Sequence, residues 1–424
     1  MTHINTIFLE LLAVSIGRRE GLSAVPVEEE WAQLYRMARE QAVAGVCFAG
    51  VQRLKVVHGI CPPMPLYMQW LAVASQIQMR NEEMNQWSAE ICRMIEADGY
   101  ECCILKGQAV AGLYAGRKGS EKVEEKSEKL SLLRQSGDID VWMMAPHKEV
   151  IRWGQEHGGV WFYDYHHADL MGFHDVEVEL HYRPTLSRNL WRNWLLQRWL
   201  KGSEKRKDKR EKLGCAQGLI DKSKDLFPVP TAEFALVLTL NHNFWHLLYE
   251  GVGMRQMMDL YFVLINGPHP TSPKGEECLS DCNQEETMLL PYGGGWEGAS
   301  SLIKHFGLMR FAKACMWVMQ EVFGLEREYM VCEPDERSGR FLLEEILKAG
   351  NFGHADVRLK RDRYGNRFRL MWGWMRHTWR LFRYYPADVL WTPFGVLYIS
   401  LWRRWHYRFD KIKLDKKIKL VINE

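Results

Sequence analysis

The stretch Arg134–Met143, RQSGDIDVWM, places Asp138 and Asp140 one residue apart in a run that otherwise has the character of a buried strand. Carboxylates are rarely buried unless they are paired or bound to a metal. Residues i and i+2 of a strand share a face. Asp138 and Asp140 therefore present two carboxylates side by side, while Ile139 turns to the core. Two unpaired negative charges at that spacing repel, and a shared cation resolves the conflict. Oxygen ligands of this kind suit Mg²⁺ or Mn²⁺.

Two other stretches belong with this one. Val176–Tyr182, VEVELHY, carries Glu177 and Glu179 on one strand face, with His181 continuing it. If the two strands pair, one glutamate joins the aspartates as a third acid, and spacing alone leaves open which. A site with two metal ions can position a phosphorus centre, neutralise its charge and lower the pKa of an attacking hydroxyl. Upstream, Leu105-Lys106-Gly107 ends a short strand, Glu101–Leu105, and opens a helix at Gln108. Backbone N–H groups at such a junction take phosphate oxygens, and glycine lets the backbone come close.

The rest of the chain frames these pieces. Residues 1–98 read as a helical region, with Ser75–Ala97 a long amphipathic helix stopped near Gly99. Residues 99–188 read as an α/β core: strands at Glu101–Leu105, Ile139–Met144, Val160–Tyr165 and Val176–Tyr182, with a helix at His147–Gln155. A Lys/Glu-rich insertion lies between Tyr114 and Arg134. Residues 189–424 read as a helical domain, with insertions near 201–225 and 266–300.

The ordered set ILKG, R-x-x-GDID and VELHYRP resembles the bacterial uncharacterised nucleotidyltransferase family of the DNA polymerase β-type nucleotidyltransferase superfamily. The resemblance spans residues 70–265 and takes in the helical stretch that holds His242, Arg255 and Asp259. It implies an α+β fold: a mixed-sheet core of the polymerase β type, flanked by N-terminal and C-terminal helical regions. It implies Mg²⁺- or Mn²⁺-dependent transfer of a nucleoside monophosphate from a nucleoside triphosphate to a hydroxyl acceptor (a small molecule, a sugar or a protein), with release of pyrophosphate. By position it makes Asp138, Asp140 and Glu179 catalytic residues and metal ligands, with Glu177 beside them. Lys106, Gly107, Gln108, Arg134, Ser136 and Gly137 would border the triphosphate.

The chain departs from the superfamily at the turn, where Gly107-Gln108 stands in place of Gly-Ser or Gly-Gly. That departure supports an alternative, a catalytically inactive nucleotide-binding or scaffold relative. His181 reads as a hydrogen-bonding neighbour of the site. His242, Arg255 and Asp259 read as structural, with Arg255 and Asp259 spaced to pair along one helix face.

Composition narrows the surroundings. Of 424 residues, 56 are Lys or Arg and 53 Asp or Glu, so the near balance gives no argument for a polynucleotide partner. The 10 cysteines form no disulfide or zinc framework, Cys278 and Cys282 included, which points to reduced thiols and a cytoplasmic protein. No apolar run is long enough to span a bilayer. The C-terminal run rich in Arg, Trp and Tyr has three readings: a helix packed on the core, peripheral contact with an anionic membrane, or nucleic-acid contact. Packing is the first of these.

Overall fold

A computed structural model describes residues 2–115, 130–204, 219–223, 226–267, 296–353 and 377–409. The Lys/Glu-rich stretch before Leu130, most of both later insertions, Cys278 and Cys282 lie outside the described residues. The fold is α+β, with a five-stranded mixed sheet among many helices.

Four helices come first: α1 (His3–Ser15), α2 (Glu28–Glu40), α3 (Ala44–His58) and α4 (Met64–Ala97). Helix α4 begins at Met64 rather than Ser75, with Pro63 at its N-cap and Pro65 in its first turn, where a missing N–H costs nothing. Strand β1 (Cys102–Ile104) follows, then the single turn α5 (Gln108–Ala111). Next come β2 (Ile139–Met143), α6 (His147–Glu156), β3 (Val160–Tyr163), β4 (His167–Leu170) and β5 (Val178–His181). The spatial order is β1-β2-β5-β4-β3. The β2–β5 pair is parallel and the other pairs are antiparallel.

Strand β4 is an addition to the sequence reading. Its alternation, His167 and Asp169 on one face against Ala168 and Leu170 on the other, is a strand pattern only four residues long. A hairpin with β3 exposes that pattern to the neighbour β5.

The two faces of the sheet differ. Ile139, Val141, Val178, Leu180 and Leu170 pack against Ile91 and Ile95 of α4 and Val150 and Trp153 of α6. The opposite face carries Asp140, Glu179, His181 and Trp142. Trp142 meets Phe234 of α8 (Ala232–Tyr249), at 5.8 Å between ring centroids. Helix α7 (Leu190–Glu204) and a two-residue ladder of β6 (Ile220–Asp221) with β7 (Val229–Pro230) precede α8. Helix α9 (Met254–Ile265) then packs along α8 and the α5 turn. Helices α10 (Glu297–His305), α11 (Met309–Phe323) and α12 (Glu336–Ala349) join the N-terminal helices in one large apolar core.

Helix α13 (Pro386–Phe409) closes the described chain. One face packs on the sheet edge: Tyr407 Oη donates to the Tyr163 carbonyl at 2.7 Å, and Trp402 lies against Tyr163 and Tyr165. The other face leaves Leu390, Phe394, Leu397, Leu401 and Trp405 exposed. No helix among the described residues is long and apolar enough to cross a membrane.

Helix α3 touches the segment leading into β2 at a point with no room for a side chain. A Cβ on Gly45 would sit 2.3 Å from the Leu133 backbone oxygen. Gly45→Ala should therefore force two backbones apart and cost about 1–3 kcal/mol. Denaturant unfolding checks this, and an unchanged midpoint would contradict the contact.

Candidate active site

The site begins with register. Asp140 on β2 lies beside Glu179 on β5, and Glu179 beside Asp169 on β4. One rung of the sheet thus carries three carboxylates. The next rung on the same face carries Trp142, His181 and His167. Like charges directly opposite each other destabilise a sheet, so this rung needs cations.

Two protein cations meet it. Lys106 Nζ lies 2.7 Å from Asp140 Oδ1. His181 Nε2 lies 2.9 Å from the same oxygen and 3.0 Å from Glu179 Oε2. Lys106 is placed by the chain just before it: the Leu105 N–H donates to the Asp140 carbonyl at 2.9 Å, extending the β1–β2 ladder by one bond. The chain then turns at Gly107, whose φ of 57° and ψ of −106° no side chain adopts without strain.

The titrations follow from these contacts. Burial works against the charge on His181, but its hydrogen bonds to Asp140 and Glu179 prevail and push it up to about 9. Burial also opposes charge on Lys106, and the fields of Asp140, Glu179 and Asp138 more than offset it. Asp140 would be raised by burial, yet Lys106 and His181 bring it down to about 2. Glu179 is held below the usual carboxylate range in the same way, by His181, His167 and Lys106 against burial. Asp138 is the opposite case. Burial first, then Asp140 and Glu179, push it up to about 6, with only partial relief from Lys106 and Arg255. Negative charge is therefore in excess at Asp138, as expected where a further cation belongs. Asp140, Glu179 and His181 offer ligand atoms within 4.8 Å of one another, a grouping that could hold a metal ion.

Other sequence-predicted residues have different duties. The Arg134 guanidinium grips Asp259 of α9 through Nε and Nη2, each at 2.7 Å, while still feeling the charge of Asp138. Asp259 also accepts from Tyr114 Oη at 2.8 Å. This replaces the expected Arg255–Asp259 pair. Gln108 is buried and turned toward α4: its Nε2 donates to Asn85 Oδ1 at 2.7 Å, and its Oε1 accepts from the Ser136 hydroxyl. Gly137 is exposed. Glu177 is exposed just before β5, although its carbonyl accepts from the Ile139 N–H at 2.9 Å. Helix α5 is one turn long, so phosphate binding here would rest on Lys106 and local amides rather than on a helix dipole.

Arg255 reaches the same loop before β2. Its Nη1 donates to the Gln135 carbonyl at 2.9 Å, and its Nε is buried without a hydrogen-bond partner among the described residues. Its charge acts on Asp138. His242 of α8 also reaches this region: burial first, then the field of Lys106, keeps it neutral. His242 Nε2 lies 2.9 Å from His246 Nε2. A groove of about 860 Å³ opens beside Gln135 and Ser136, with Arg36, Arg39 and Arg80 on its walls. Sequence reasoning missed His166, His167 and Asp169 because it passed over β4. The period-2 alternation in HHADL was the available signal.

The excess charge at Asp138 has a measurable consequence. Its folded-state pKa of about 6 lies above the unfolded value of about 3.9. The stability tied to its protonated form is complete below about pH 4 and is lost as pH rises through about 6. With divalent ions chelated, Asp138→Asn should be more stable than wild type at about pH 7, by on the order of 1–3 kcal/mol. The gain should vanish toward about pH 4. Urea unfolding at the two pH values checks this, and a loss of stability at neutral pH would contradict it.

A family model described as an uncharacterised nucleotidyltransferase matches residues 27–121. The matched span runs from just before α2 through the Lys106–Gly107 turn and ends before Asp138. No curated protein and no solved structure matches the chain. The family match supports a nucleotidyltransferase domain in this protein.

Proposed function

We propose that this protein transfers a nucleoside monophosphate from a nucleoside triphosphate to a hydroxyl acceptor, with release of pyrophosphate. One observation carries the reading: parallel β2–β5 pairing sets Asp140 against Glu179, with Asp138 just before β2 in the field of both and the Lys106–Gly107 turn alongside. The family match over residues 27–121 supports nucleotidyl transfer as the reaction class.

In this reading Asp138, Asp140 and Glu179 hold Mg²⁺ or Mn²⁺. Such an ion supplies charge neutralisation on the phosphates and acidifies the acceptor hydroxyl. The chain's own residues do the rest. Lys106, which can exchange its Asp140 carboxylate for phosphate, and Arg255, which holds the Gln135 carbonyl, attract and orient the triphosphate. Gly107 brings backbone amides close to it. Glu179, ionised at neutral pH because His181 and its other cationic neighbours outweigh burial, accepts the acceptor proton. The acceptor oxygen bonds the α-phosphorus, the bond from that phosphorus to the bridging oxygen breaks, and pyrophosphate leaves. The groove lined by Arg36, Arg39 and Arg80 is a basic approach for an anionic substrate.

The experiment uses α-labelled and γ-labelled nucleoside triphosphates with Mg²⁺ or Mn²⁺ and a fractionated cell extract as acceptor source. Product should carry the α label and not the γ label. Asp140→Asn and Glu179→Gln should each lower the rate by on the order of 10²–10³-fold. Transfer of the γ label would make the protein a kinase. Nucleotide binding without transfer of either label would favour the inactive relative, for which Gln108 at the turn is the supporting feature.

A further inference from the structure

Strand β4 brings a second set of ligands to the edge of the acidic rung. The β4–β5 register sets His167 opposite His181, and His166 lies just before β4. The rings form one cluster: the His166 and His167 centroids are 4.2 Å apart, and each lies 5.4 Å from that of His181. Each imidazole offers a nitrogen within 4.8 Å of the other two.

Three of the separations between these groups are close to those of a coordination shell. His166 Nε2 lies 2.9 Å from His167 Nδ1. His167 Nδ1 lies 3.7 Å from Glu179 Oε2, and His181 Nε2 lies 3.0 Å from that same oxygen. Around a tetrahedral ion with bonds of about 2.0–2.1 Å, neighbouring ligand atoms stand about 3.3–3.5 Å apart. The observed values bracket that figure.

A metal-bound imidazole usually turns its other N–H toward a carboxylate or a backbone carbonyl, which fixes the tautomer. Two of the three outward nitrogens have such a partner nearby; the third, His166 Nδ1, is buried without a hydrogen bond among the described residues. His167 Nε2 faces Asp169 Oδ1 at 3.2 Å. His181 Nδ1 faces the Arg183 carbonyl at 3.4 Å. The Arg183 carbonyl takes the outer proton of His181, and Asp169 lies at ion-pair distance from the outer nitrogen of His167 without a hydrogen bond to it; His167 Nδ1 and His181 Nε2 are left facing Glu179.

We propose that His166, His167 and His181, with the Glu179 carboxylate, form a binding site for a first-row transition-metal ion of the zinc class, beside the oxygen site of Asp138 and Asp140. Three nitrogens and one carboxylate suit Zn²⁺ or Co²⁺ and not Mg²⁺. Glu179 is common to both sites, so an ion here would orient the third acid. Loading the site displaces the proton that His181 Nε2 shares with Asp140 and Glu179, and that proton leaves to solvent. The inference goes beyond the proposed reaction and does not need it to be correct.

The test uses the full chain stripped with chelator and titrated with Co²⁺ and with Zn²⁺. Co²⁺ should give the visible absorption of a tetrahedral, nitrogen-ligated ion, and Zn²⁺ should displace it at one equivalent. His166→Gln and His167→Gln should each abolish the spectrum. Asp169→Asn should weaken affinity about 10–100-fold. Asp138→Asn should keep the spectrum, because that residue belongs to the oxygen site. Unfolding curves on each variant show that the fold persists, and Asp169→Asn gives a graded readout if a histidine variant does not fold. Absence of a tetrahedral spectrum overturns the proposal. So does binding that survives His167→Gln but fails in Asp138→Asn. Nucleotidyl transfer measured separately with Mg²⁺ alone succeeds or fails independently of these results.

Discussion

The structure turns on one register: Asp140 of β2 against Glu179 of β5 in a parallel pair. Parallel pairing sends both side chains to the same face at neighbouring positions. Two carboxylates in a half-buried rung repel strongly, because the effective dielectric there is well below that of water. The apolar residues between them settle the conflict in favour of the pairing. Ile139, Val141, Val178 and Leu180 are buried on the far face, and a slip of one residue in either strand would turn that strand's two apolar residues to the charged face and its acid into the apolar core. Apolar burial thus holds acids where electrostatics alone would separate them, and Lys106 and His181 make the arrangement tolerable.

The surroundings of the acids are arranged to hold this geometry. The Arg134–Asp259 pair joins the loop before β2 to α9, and Tyr114 ties the α5 region to the same carboxylate. Asn81 of α4 donates to the Leu132 and Arg134 carbonyls, and Gln108 links Asn85 to Ser136. Arg134 and Gln108 therefore tie the loop before β2 to α9 and α4. Arg134 spends Nε and Nη2 on Asp259 and turns Nη1 to Ser136, while Arg255 Nη1 holds the Gln135 carbonyl nearby.

The sequence was legible where chemistry broke a pattern. Asp138, Asp140 and Glu179 stand out because acids at i and i+2 interrupt apolar strands, and their pairing followed from that alternation. Lys106 and Gly107 were legible as a strand end. The partner of Arg134 was not, because Asp259 lies far along the chain and a nearer candidate, Arg255, sat one helical turn away on the same helix. Strand β4 was missed because four residues with two polar side chains look like a turn until a neighbouring strand is in place. The mixed Arg and Trp content of the C-terminal run did not reveal which side chains face the core. Position along α13 decides that: Trp402 and Tyr407 pack on the sheet edge, while Leu390, Phe394, Leu397 and Leu401 face outward.

The central claim is that the acidic rung is a cation-dependent nucleotide site. Calorimetric titration with non-hydrolysable α,β-methylene analogues of ATP, GTP, CTP and UTP, with Mg²⁺ and again with chelator, tests it most directly. The account predicts that at least one analogue binds only when the metal is present, and that Asp140→Asn removes that binding while the chain stays folded. Failure of all four analogues to bind, or binding that ignores both the metal and Asp140, would contradict it.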